Sequence, residues 1–123
     1  MKKPTSKRLP MANYTTPRIN LHPHTRRVQI YHRDTLLADT SDVIELREKD
    51  YPQRQYLPRS DVDMSKPTTS TAVTHCPDKG DSTYYSLPDL LDIAWSYDHP
   101  IDEMSAIAGR LAFDSNKMTE LVE

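Results

Sequence analysis

Leu91-Asp92-Ile93-Ala94-Trp95-Ser96-Tyr97 alternates large apolar side chains with polar or small ones. That is the period of a half-buried strand, not of a helix. It predicts one inward face carrying Leu91, Ile93, Trp95 and Tyr97, with Trp95 substantially buried. Working outward, Ser82 to Leu87 is rich in Thr and Tyr and reads as a neighbouring strand. Arg27 to Tyr31, a polar turn over His32 to Thr35 and the returning Leu36-Leu37-Ala38 predict a hairpin over 27–40. Val43 to Arg47 follows as a strand with Ile44 and Leu46 on one face. Gln53 to Leu57 is another, stopped by Pro58. Met64 to Val73 has little apolar content and reads as a long loop. Pro100, with Asp102 and Glu103 behind it, opens a short helix near 100–108 that shares Ile101, Met104, Ile107 and Leu111 on a face and stops at Gly109. Arg110 to Phe113 is a final strand, and the last residues read as a frayed helical turn. Many short strands and one small helix mean a mainly β domain.

The chain has 123 residues, enough for one domain. Its two glycines exclude a glycine-rich phosphate cradle, and its single cysteine excludes a disulfide framework or a cysteine-rich zinc knuckle. No apolar run approaches the ~18–20 residues of a membrane span. These features point to a cytoplasmic protein with no membrane contact. Charge is distributed unevenly. Residues 1–27 carry seven basic side chains and no acid, leaving nine basic against eighteen acidic residues in the remainder. The first 21 residues, rich in Lys, Ser, Thr and Pro, read as a basic, flexible extension ahead of a single domain over 22–123. Their lack of interleaved aromatic residues argues against a nucleic-acid arm.

Chemistry concentrates in Thr74-His75-Cys76-Pro77-Asp78-Lys79-Gly80 and the Tyr84-Tyr85-Ser86 that follows. A neighbouring cation lowers a thiol pKa, and the thiolate is the nucleophile. Neighbours on an extended segment point opposite ways, however, so His75 need not meet the Cys76 sulfur. Cys76 as a small core residue and Lys79 as a solvated turn are the plainer alternatives. Arg59 suits bidentate recognition of an anion, or an internal tie to Asp61 or to backbone carbonyls. Tyr84, Tyr85, Trp95 and Tyr97 serve equally as cavity wall or as core. Asp61 and Asp63 read as strand-end caps rather than a metal site. His22, His24, His32, His75 and His99 have no metal-ligand spacing, so no metal and no cofactor is expected.

The blocks Tyr56-x-Pro58-Arg59-x-Asp61-Val62, Thr74-His75-Cys76-Pro77-x-Lys79-Gly80, Ala94-Trp95-x-Tyr97-x-x-Pro100 and Ile107-x-Gly109-x-x-Ala112-Phe113, in this order, resemble domain-of-unknown-function family 427 over roughly residues 22–114. The resemblance implies a β-tent, two antiparallel sheets leaning together. Related β-tent groups bind zinc through cysteine pairs or reduce methionine sulfoxide; this chain lacks the pairs, so zinc is not carried over. The family's nucleotidyltransferase label finds no support, because no Gly-Ser pair precedes Asp61-Val62-Asp63. Where many members continue from the Phe with an aromatic residue, this chain has Asp114-Ser115, which predicts a different exit from that strand.

The leading expectation is a domain that binds a small anionic ligand between its sheets, with or without catalysis. Arg59 and Lys79 would hold the anion, His75 and Cys76 would carry any chemistry, and Tyr84, Tyr85 and Trp95 would exclude water. The alternative is a non-catalytic structural or interaction module. Nucleic-acid binding through the basic extension and nucleotidyl transfer are the weaker readings.

Overall fold

The computed structural model describes residues 18–123. Residues 1–17 of the expected extension lie outside the described residues; its last residues are described and are part of the fold. Ile19 and Leu21 already sit in a strand and are 2% and 1% exposed. The strands are β1 (Ile19–His24), β2 (Val28–His32), β3 (Thr35–Thr40), β4 (Val43–Glu48), β5 (Arg54–Tyr56), β6 (Thr68–Cys76), β7 (Gly80–Leu87), β8 (Leu90–Ser96), β9 (Leu111–Phe113) and β10 (Thr119–Val122).

The molecule is mainly β, as expected, but its strands form three antiparallel sheets rather than two. Sheet I has the order β9-β8-β7-β6, sheet II β10-β2-β3, and sheet III β1-β4-β5. A bridge at Leu57–Leu111 ties the end of sheet III to sheet I, and one at Ala38–Val62 ties sheet II to the segment after a 3-10 turn over Arg59–Asp61. The helix near 100–108 is a 3-10 helix over Asp102–Ile107, which buries Met104 and Ile107. Gly109 follows it at φ +71°, a left-handed conformation that suits glycine after a helix.

Two expectations give way. Residues 68–73, expected within the loop from Met64 to Val73, instead belong to the edge strand β6, which pairs with β7. A strand needs β-branched residues and ladder hydrogen bonds more than it needs a buried face, and Thr68, Thr69, Thr71, Val73 and Thr74 supply the former. The C-terminal residues are not a helical turn. Asp114 turns the chain: its side chain accepts from the Asn116 amide and its carbonyl from the Lys117 and Met118 amides, and β10 then pairs with β2.

Sheet I contributes to two apolar clusters. One face presents Tyr85, Ala94, Leu111 and Phe113 to Val28, Ile30 and Leu37 of sheet II. The other presents Tyr97 and Ala112, with Trp95 at the margin, to Ile19, Leu21, Ile44, Leu46 and Tyr56 of sheet III. Cross-strand register fixes this division: Tyr85–Ala94–Phe113 align on one side, Tyr84–Trp95–Ala112 on the other. The expected single face of β8 does not persist through the strand. Asp92 takes φ +52° beside an irregularity in the β7–β8 pairing, Leu91 is left 71% exposed, and both Ile93 and Ala94 are buried. Between the Leu87–Leu90 and Tyr85–Ala94 pairs one residue of β7 faces three of β8, and such a bulge re-aims the side chains around it. Ser86 and Ser70 hydroxyls stabilise this bend by donating to the Asp92 carboxylate.

Candidate functional site

The hairpin between β6 and β7 carries the Cys-Pro-Asp-Lys-Gly segment. The Lys79 amide donates to the Cys76 carbonyl at 3.1 Å, closing the turn. Gly80 has φ +121°, and a Cβ there would stand 3.1 Å from Pro100 Cα and 3.3 Å from the His99 oxygen. Together with the Ile101 amide donating to the Lys79 carbonyl at 2.9 Å, this close approach explains why glycine ends the motif.

The turn aims Lys79 inward. The residue is 8% exposed, and its Nζ donates to Glu48 Oε1 at 2.9 Å and approaches Cys76 Sγ at 3.6 Å. Burial works against the ammonium, but the hydrogen bond and charge of Glu48 outweigh it and hold the Lys79 pKa above its ordinary value. Glu48 also pairs with Arg18 at 3.6 Å, so two cations share this carboxylate.

Lys79 and half-buried Cys76 open onto a groove of about 500 Å³ between sheets I and III. Tyr84, Trp95 and Tyr97 line it from sheet I, and Leu46, Arg54 and Tyr56 from sheet III. Trp95 donates its indole N–H to the Tyr56 hydroxyl at 3.0 Å, with the Tyr84 ring 6.4 Å away. Tyr56 and Tyr97 pack at 6.5 Å, and burial pushes both phenols above their usual pKa. The Arg54 guanidinium lies 5.0 Å over the Trp95 ring. One of its terminal nitrogens is buried without a hydrogen-bond partner, and among the described residues no carboxylate stands at ion-pair distance from it.

The other charges of the groove are engaged. Asp92 accepts from Ser70 and Ser86, Lys117 donates to the Leu91 carbonyl, Asp114 caps its own turn, and Glu48 holds Lys79. Among the described residues Arg54 has no ion-pair partner in the groove.

Of the residues singled out from sequence, Cys76, Lys79, Tyr84 and Trp95 converge on this groove, whereas Arg59, Tyr85 and His75 lie elsewhere. Arg59 and Tyr85 meet on the opposite face of sheet I. The Arg59 guanidinium donates to the Gly109 carbonyl, the Tyr85 hydroxyl, Ser96 Oγ and Asp98, and stacks 5.5 Å over the Tyr85 ring. His75 points outward with its side chain 68% exposed, its Nδ1 against Asp81. Asp63 caps its own turn by accepting from the Ser65 amide, whereas Asp61, in the 3-10 turn over Arg59–Asp61, accepts from the Thr40 hydroxyl of β3. Arg54 was missed. It sits two residues before Tyr56, so the period-2 rule places both on one strand face, but sequence gives no sign that the face borders a groove.

Among the described residues no group of three His, Cys, Asp or Glu side chains gathers to hold a metal ion. No described helix is long and apolar enough to cross a membrane. No curated protein matches the chain. The model of the family described as Domain of unknown function (DUF427), whose short name refers to nucleotidyl transfer, matches residues 20–123. The chain belongs to that family.

Proposed function

We propose that this domain binds a small anionic molecule with a planar apolar body in the groove between sheets I and III. The observation that carries the reading is Arg54: a guanidinium on an aromatic wall, with no carboxylate at ion-pair distance among the described residues and one buried terminal nitrogen without a hydrogen-bond partner. Arg54 supplies the charge, Lys79 a second ammonium tempered by Glu48, and Tyr84 and Trp95 the apolar wall. An aromatic wall with convergent charged groups gives a small molecule both apolar contact and orientation. Trp95 is the only tryptophan in the chain, so its fluorescence reports on occupancy. A panel of planar aromatic carboxylates should quench it saturably, and Arg54→Gln should weaken that binding about tenfold or more, since hydrogen bonds to charged groups contribute ~1.5–3 kcal/mol. If no member of the panel quenches Trp95 or raises the melting temperature at millimolar concentration, the reading fails.

A second reading, in which the groove also carries covalent chemistry, is favoured by the 3.6 Å approach of Lys79 Nζ to Cys76 Sγ. An ammonium beside a thiol favours the nucleophilic thiolate. Glu48 neutralises much of that ammonium, so binding without catalysis is the stronger form. Slow alkylation of native Cys76 by iodoacetamide, compared with free cysteine, agrees with binding alone; rapid alkylation puts catalysis first.

A further inference from the structure

Trp95 and Tyr97 stand two residues apart, so both rings come to the groove side of sheet I. Their polar atoms fare differently. The Trp95 indole N–H is taken by the Tyr56 hydroxyl. The Tyr97 hydroxyl makes no hydrogen bond with any described residue, although Tyr97 is only 8% exposed and lines the groove. The other polar groups that sheet I brings there have partners inside the chain: Lys79 in Glu48, Tyr84 in Thr74 at 3.2 Å, and Asp92 in Ser70 and Ser86. A polar side chain that is nine-tenths buried and unpartnered calls for an explanation.

The hydroxyl is fixed in place. The Gly109 amide donates to the Tyr97 carbonyl at 3.1 Å, and the Tyr56 ring packs 6.5 Å from the Tyr97 ring. Burial keeps the phenol protonated and outweighs the opposing Lys79 ammonium, with Cys76, Tyr84 and Glu48 adding to the rise. A protonated phenol gives its hydrogen more readily than it accepts one, because its lone pairs are shared with the ring. Lys79 and Glu48 both act on this hydroxyl and pair with each other at 2.9 Å, so their fields largely cancel. That balance favours an uncharged acceptor over a second carboxylate.

From this we infer that Tyr97 is a specificity-determining residue of the groove: its hydroxyl donates to an uncharged acceptor on the ligand, while Arg54 takes the anionic group. The inference rests on the groove reading and narrows its ligand to a planar aromatic anion that also carries a neutral acceptor such as a carbonyl oxygen. Selection works in both directions. A ligand with the acceptor completes the bond. One that covers the hydroxyl with hydrocarbon strips it of solvent and leaves a buried donor unpaired.

The experiment titrates the ¹⁵N-labelled full chain and follows the Trp95 indole resonance. The probes are the isomeric acetylbenzoates, each against the ethylbenzoate that replaces its carbonyl by a methylene, and neutral acetophenone against ethylbenzene. At least one acetylbenzoate should bind roughly two- to tenfold tighter than its ethyl counterpart. Tyr97→Phe should erase that preference and leave the ethyl compound's affinity unchanged. It should not lower the melting temperature, because the hydroxyl has no partner in the chain to lose. If every acetyl and ethyl pair binds the wild type equally, or the preference survives in Tyr97→Phe, the role of Tyr97 is refuted. If acetophenone is preferred over ethylbenzene through Tyr97 but no carboxylate binds more tightly than acetophenone, the anionic groove reading falls and Tyr97 stands. If no probe moves the Trp95 indole, both fall.

Discussion

Sheet I carries two arginine–aromatic pairs on its opposite faces, and they differ in one respect. Arg59 over Tyr85 has four hydrogen-bond acceptors from four separate positions. Arg54 over Trp95 borders an open groove and has a nitrogen without a partner. Similar stacking geometry thus serves two ends. Where the N–H groups are satisfied, the arginine locks the 3-10 helix exit at Gly109 to sheet I. Where one is not, the arginine keeps an unpartnered nitrogen beside the groove. An arginine beside an aromatic ring is informative only once its donors have been counted.

The widest separation between the two faces should appear on truncating their aromatic residues. Phe113 is 2% exposed in the sealed cluster, so Phe113→Ala should cost about 3–5 kcal/mol in urea denaturation. Trp95, half-buried at the groove, should cost about 1–3 kcal/mol, because part of its surface is already wet. Equal losses would mean that the groove face is sealed as well.

The arginines themselves come next. Arg59→Gln should destabilise by about 2–3 kcal/mol through its lost ties to Gly109, Tyr85, Ser96 and Asp98. Arg54→Gln should stay within about 0.5 kcal/mol of wild type while losing ligand affinity. A reversal of these two results breaks the comparison.

A pH effect sharpens it. Burial lifts the Glu120 carboxyl from 4.5 to about 7, Glu45 adding to the rise and the Arg54 charge opposing it. Below the ordinary carboxylate value both the folded and the unfolded chain hold this proton. Between pH 4.5 and 7 the unfolded chain releases it first, so the folded state loses stability as pH rises through that window. Glu120→Gln should remove this slope and gain about 1–2 kcal/mol at pH 8, after discounting for solvent screening. In Arg54→Gln the Glu120 pKa should move above 7; an unchanged titration would separate the two residues.

The smallest effect belongs to His75. Exposed and paired only with Asp81, it should tolerate His75→Ala within about 0.5 kcal/mol and with unchanged ligand binding. A binding defect there would return His75 to the site.

Legibility in the sequence followed the physics of each signal. The 27–40 hairpin, β4, β5, β7 and β9 follow from alternation and from proline and turn residues, which act locally. The edge strand β6 escaped because it hides little apolar surface, and β10 because its four residues are defined by β2 across the sheet. Cys76, Lys79, Tyr84 and Trp95, singled out through a local motif and an alternating run, line one groove. Arg59 and Tyr85 were misplaced because an arginine's partners are not local: those of Arg59 lie 26 to 50 positions away.

The sequence by itself determined a mainly β domain, its principal strands and, through the Thr-His-Cys-Pro-x-Lys-Gly block, its family. Periods of two, turn-forming residues and a glycine against Pro100 are written in neighbouring positions. Only the tertiary structure decided which face each ring took, how three sheets divided the strands and that Arg54 keeps a buried nitrogen without a partner. Alternation fixes side chains relative to one another but not to the core, and the bend at Asp92 reset that parity midway along the most regular run in the chain.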